Sequence, residues 1–226
     1  MHIEVLCEDK SGSVVLEHII ATWLADRKSV CSFEIRAHRG KGKLPNDYMA
    51  KPMRFASGLM DLLPAKVRAY AEIFRPEDLL LIIVMDSDDE SADKIYVDLE
   101  RVVQKFGQRI PYVIGVSVEE MESWLLGDRQ ALLKAFPEIH RTVLDNYEQD
   151  SICGTWEVLA RAIYGREAER LIRIGYPAVG QYKYEWASRI APFMQLEQNQ
   201  SPSFQKFLKK LNRIMNKQEQ RFVKIQ

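Results

Sequence analysis

The chain has 226 residues, 46% of them hydrophobic and 28% charged, with 32 basic side chains balancing 32 acidic ones. Such a chain can bury a sizeable core as one large domain, or as a domain with an extension. A formal charge of zero excludes a uniformly polycationic or polyanionic protein, and no apolar run approaches the ~20 residues of a membrane helix.

The first strand is expected at His2–Cys7, ending at Glu8. Asp9–Ser13 holds Gly12 and reads as a strand-to-helix turn, with Ser13 as N-cap. A helix follows from about Val14 to Arg27, with Val15, Leu16, Ile19, Ile20, Trp23 and Leu24 as its apolar stripe. Val30–Ala37 is a second strand, and His38–Pro45 a basic, glycine-containing loop. A helical stretch spans about Ser57 to Phe74, interrupted near Pro64. Leu79–Met85 is apolar throughout, the signature of a parallel strand buried on both faces. Ser91 caps the next helix, whose buried face is Ile95, Tyr96, Leu99, Val102, Val103 and Phe106. Pro111–Val116 is the fourth strand.

Beyond Val118 only helices are expected: Glu119–Leu126, Asp128–Phe136, Thr155–Tyr164, Gln181–Phe193 and Pro202–Asn216. Alternating strands and helices followed by helices alone predict the α/β class. The sheet is mainly parallel and Rossmann-like over residues 1–130, with a helical extension over 131–226 packed on it. Cys7, Cys31 and Cys153 show neither zinc nor disulfide spacing, and no signal peptide precedes the first strand. The expectation is a cytoplasmic protein with free thiols and no membrane partner.

Acidic residues fall at the strand ends: Glu8 after the first, Asp86 and Asp88 in Asp86-Ser87-Asp88-Asp89-Glu90 after the third, and Glu120 and Glu122 after the fourth. Ligands of open α/β sheets bind at the carboxyl ends of strands. Neighbouring strands are only ~5 Å apart, so these carboxylates can share a hard divalent cation. Asp89, Glu90 and Asp93 read as helix-start charges and Glu119 as a solvated residue. Single acids after strands are more often turn or cap residues; the coincidence of three such sites is what points to a metal.

Two basic runs flank this set. One holds Arg36, Arg39, Lys41, Lys43, Lys51 and Arg54; the other holds Lys206, Lys209, Lys210, Arg213, Lys217, Arg221 and Lys224. They suit a phosphate backbone, or else are simply solvated faces. Gly40-Lys41-Gly42-Lys43 lacks the spacing of a nucleotide-binding Walker loop. Trp124, Trp156 and Trp186 sit at helical core positions, and His2, His18 and His140 have no zinc or triad partner.

A Glu after the first strand and an Asp-x-Asp after a buried later strand resemble the Toprim domain. Glu120-Met121-Glu122-Ser123-Trp124, Tyr182-Lys183 and Ser201-Pro202-Ser203-Phe204 resemble one branch, the Toprim-like prokaryotic proteins encoded beside ATPases in defence loci, distant relatives of the overcoming-lysogenization-defect nucleases. The resemblance implies a Toprim-like fold and a Mg²⁺- or Mn²⁺-dependent nuclease. Glu8, Asp86 and Asp88 would be catalytic and metal-binding, with Glu120 and Glu122 as further metal ligands. Arg39, Lys41, Lys43 and Lys183 would hold the nucleic acid, DNA in preference to RNA. An ATPase encoded nearby is the implied partner, and a homodimer is allowed for. One departure stands out: members often carry Gly and then a second Glu after the first, where this chain has Asp9 and Gly12. The alternatives are a non-catalytic Toprim-like binding module and an aspartyl phosphatase, the latter disfavoured by Glu90 two residues past Asp88.

Overall fold

The structure is a computed structural model that describes residues 1–223. Of the C-terminal basic run, the Arg221 side chain and all of Lys224 lie outside the described residues. Four strands, β1 (His2–Cys7), β2 (Ser32–Ala37), β3 (Leu79–Asp86) and β4 (Tyr112–Ser117), form one sheet in the order β2-β1-β3-β4. Every pairing is parallel, with Cys7 opposite Ala37 and Val84, and Asp86 opposite Ser117. The chain leaves β1 for β2 on one side and returns to place β3 on the other. The topological switch point therefore lies between β1 and β3, where open α/β sheets bind their ligands.

The β3 run is buried because both faces of the sheet are covered. Leu80, Ile82 and Val84 join the core beneath α1 (Lys10–Asp26); Leu79, Leu81, Ile83 and Met85 join the core beneath α2 (Leu59–Ile73) and α3 (Ala92–Phe106). Beyond β4 come α4 (Glu122–Leu126), α5 (Arg129–Ala135), α6 (Arg141–Asp145), α7 (Thr155–Tyr164), α8 (Ala168–Ile174), α9 (Val179–Ile190) and α10 (Pro202–Val223). They extend the α1-side core, so the helical part and the sheet share one apolar interior. Trp124 is part of it, stacked on Phe207 at 5.2 Å and edge-on to Phe204 at 5.3 Å. Among the described residues no helix is long and apolar enough to cross a membrane.

Two local expectations are corrected. The first helix begins at Lys10, not Val14, and Asp9 is its N-cap in place of Ser13: Gly12 N–H donates to Asp9 Oδ1 at 2.7 Å and Ser11 Oγ–H to Oδ2 at 2.7 Å. A short acidic side chain caps a helix as well as serine does, and glycine inside the first turn costs little there. The helix α2 runs uninterrupted through Pro64. Proline removes one hydrogen bond but its φ is helical, and burial of Leu59, Leu63 and Val67 around it holds the helix together.

Candidate functional site

Glu8, Asp86 and Asp88 stand at the carboxyl ends of the adjacent strands β1 and β3, and Glu120 and Glu122 follow the neighbouring β4. The loops after β3 and β4 are joined along their backbones. Ser87 N–H donates to Ser117 O at 3.0 Å, Asp88 N–H to Glu119 O at 2.8 Å, and Glu119 N–H to Ser87 Oγ at 2.8 Å. Asp88 and Glu119 both adopt positive φ, 49° and 60°, a costly conformation for residues with a Cβ. The cross-loop hydrogen bonds hold it in place.

Glu8, Asp86 and Glu120 are poorly solvated. Burial first, then the charges of Asp88 and Asp9, push Glu8 up to about 7, and its Oε2 is buried without a hydrogen-bond partner among the described residues. Burial and the Glu8 charge raise Asp86 well above the usual carboxylate range, although Ser117 Oγ–H donates to its Oδ1 at 2.6 Å. Glu120 is likewise pushed up to about 7, by burial against the opposing pull of Lys183.

Lys183 is the residue the sequence placed least well. It is not a surface cation available to phosphate but a buried one, 4% exposed. Its Nζ lies 3.2 Å from Glu120 Oε1 and 3.0 Å from Glu122 Oε2. Burial opposes its charge, but Glu122, Glu120 and Asp86 outweigh that and hold the ammonium well above the usual lysine value. Lys41 is engaged in the same way. Its Nζ donates to Ser87 O at 3.2 Å and Asp88 Oδ2 at 3.1 Å, and pairs with Glu90 at 3.0 Å. Its loop is fixed to the centre by Gly40 N–H donating to Glu8 O at 3.0 Å. Arg39 and Lys43, by contrast, are exposed and form no ion pair among the described residues.

Glu119 is not a solvated side chain. It takes the amino terminus of α7, accepting from the backbone N–H of Cys153, Gly154 and Thr155 at 3.3, 3.0 and 2.9 Å and from the Thr155 hydroxyl. Burial opposes its charge, but these hydrogen bonds win and lower its pKa. Asp9, spent on capping α1, is not free as a ligand.

Three participants carried no sequence signal. Ser117 and Ser87 are small polar residues whose roles exist only once the strands pair. Tyr176 lies on the turn before α9; its hydroxyl is 3.2 Å from Lys183 Nζ although the residue as a whole is 62% exposed.

Among the described residues, the only three such ligand atoms within 4.8 Å of one another belong to His2, Glu4 and Glu34, nearer the opposite end of the sheet. That group is already neutralised: Glu4 accepts from Arg36, from Tyr70 Oη at 2.7 Å and from His2 at 3.3 Å, and Arg36 also holds Glu34 at 2.8 Å. The acidic centre differs in that Glu8 Oε2 has no hydrogen-bond partner among the described residues, although its ligand atoms must draw together to share an ion.

A family model described as "Domain of unknown function (DUF4276)" matches residues 7–212. The chain belongs to the DUF4276 family. The matched region begins one residue before Glu8 and ends within α10, so it contains Glu8, Asp86, Asp88, Glu120, Glu122 and Lys183. No curated protein and no solved structure matches this DUF4276 chain.

Proposed function

We propose that this DUF4276 protein is a Mg²⁺- or Mn²⁺-dependent hydrolase of phosphodiester bonds in nucleic acid. The observation that carries the reading is the buried, under-neutralised pair Glu8 and Asp86 beside Asp88 at the β1/β3 switch point, with Glu8 Oε2 lacking any partner among the described residues. Like charges held together out of water favour either protons or a cation. An all-oxygen donor set suits a hard divalent ion.

Lys183 already balances Glu120 and Glu122, which leaves Glu8 and Asp86, with the half-exposed Asp88 that Lys41 pairs at 3.1 Å, to hold one divalent ion. Glu120 and Glu122 then act through the lysine as positioning residues. When bound, the ion supplies Lewis acidity toward a phosphoryl oxygen and lowers the pKa of a coordinated water. The residues do the rest. Ser117 fixes the Asp86 carboxylate, and the Gly40 N–H bond to Glu8 O fixes the β1 end. Lys183 and Lys41 keep positive charge beside these carboxylates and limit their mutual repulsion.

A second reading, a binding module without turnover, is favoured by one observation: Asp9 is consumed in capping and cannot supply a further ligand. A nuclease assay on plasmid, single-stranded DNA and RNA with Mg²⁺, Mn²⁺ or EDTA decides between them. Metal-dependent cutting is expected, falling in Asp86→Asn by more than the roughly 100-fold typical of losing an outer partner of a metal site. Cutting that persists in Asp86→Asn at the native rate would refute the assignment. Metal binding with no turnover on any substrate would establish the second reading.

A further inference from the structure

The four cations assigned to nucleic acid on sequence grounds are not all available: Lys41 and Lys183 are held by carboxylates. Besides Arg39 and Lys43, exposed and unpaired among the described residues, further unsatisfied positive charge lies on α10. The strand β4 is an edge of the sheet, and the outward backbone groups of Ile114 and Val116 meet no protein partner among the described residues. Two clefts of about 320 and 420 Å³ lie along this edge, floored by β4 and walled by Tyr96 of α3 and by α10. Val118, next to Glu119 and Glu120 in the chain, lines the first.

The α10 wall presents Lys206, Lys210, Arg213 and Lys217, which recur at helical spacing and so form one stripe about 16 Å long. Of these, only Lys206 forms an ion pair among the described residues, a loose exposed one with Asp93 at 3.6 Å. The other acids at the clefts are occupied. Asp150 accepts from Ser201 Oγ–H at 2.7 Å and Ser203 N–H at 2.6 Å, and Glu100 from the hydroxyls of Tyr96 and Tyr112 at 3.0 and 3.2 Å.

We propose that the α10 stripe and the β4 edge form the track along which a nucleic-acid backbone lies as it enters the acidic centre. The inference rests on the hydrolase reading and identifies where its substrate is held. The charge of the stripe complements a phosphate backbone. An acidic peptide added as a fifth strand fits less well, because Lys210 Nζ lies 3.7 Å from the Tyr96 ring and bridges the edge midway. A strand would have to break that bridge; a phosphate backbone passes over it and adds to the same cations.

The test is the triple substitution Lys206→Glu, Arg213→Glu, Lys217→Glu, at three exposed positions, with folding checked by circular dichroism. Binding of a fluorescein-labelled single-stranded DNA oligonucleotide is measured in EDTA, with poly-glutamate as competitor and Mg²⁺-dependent cleavage read in parallel. The variant should bind at least about 10-fold more weakly, and the slope of log Kd against log salt should fall by about 2. Native-like binding by the variant would overturn the track while leaving a cutting acidic centre in place. Tighter binding of poly-glutamate than of the oligonucleotide would overturn it in favour of a protein partner. A native protein that neither binds nor cuts nucleic acid would end both readings.

Discussion

Lys183 carries its ammonium into a site where 4% of its surface is exposed and where Glu122, Glu120 and Asp86 all act on it. A buried charge is tolerated only when paired, and removing one partner strands the others. Lys183→Met should therefore cost about 3–5 kcal/mol in urea unfolding, and Lys183→Met combined with Glu122→Gln should recover part of the loss. An unchanged midpoint in the single variant would mean that the carboxylates are already neutral. Protons give a second test at the same scale. Glu8 and Glu120 are each raised from an ordinary 4.5 to about 7. Between those values the folded protein keeps protons that the unfolded chain has released, so raising the pH weakens folding. In EDTA, stability contributed by these two groups should be full below about pH 4.5 and lost by about pH 7. Millimolar Mn²⁺ should raise Tm more at pH 8 than at pH 5. His38, whose pKa burial lowers, acts in the opposite direction in this window, so Glu8→Gln with Glu120→Gln is the control: a Tm profile in EDTA that this double substitution leaves unchanged would show these groups are not buried as described.

Helix ends and strand ends build the site together. Glu119 ties the loop after β4 to the amino terminus of α7 through three backbone N–H groups. A carboxylate there satisfies orphan donors and complements the helix dipole. Glu119→Ala should cost about 1–2 kcal/mol by the scale of capping losses, with Glu119→Gln intermediate; no change in unfolding midpoint would show that α7 is held by its apolar face alone. The elements differ in how far they could be read beforehand. The β3 run was legible because complete burial leaves an unbroken apolar segment, and Thr155–Tyr164 was legible from its period. The start of α1 was not, because Gly12 signals a turn while the deciding interaction is the Asp9 side chain on Gly12 N–H. The short helices Arg141–Asp145 and Ala168–Ile174 offer too few residues to show a period. Lys183 lies 63 residues from Glu120, so no local pattern could distinguish it from a surface lysine.

For the whole molecule, strand order decides what the acids mean. The order β2-β1-β3-β4 brings the ends of β1, β3 and β4 side by side, and the helices after β4 close over them to deliver Lys183 and Tyr176. The sequence named the carboxylates; the topology makes them one centre, and packing at a distance supplies the cation that partly neutralises it. Manganese binding to the native protein, Asp86→Asn and Glu120→Gln, followed by electron paramagnetic resonance at pH 8, tests this most directly. The account predicts one tightly bound Mn²⁺ per native chain, lost in Asp86→Asn and kept in Glu120→Gln. No bound Mn²⁺, or binding unaffected by Asp86→Asn, would contradict it.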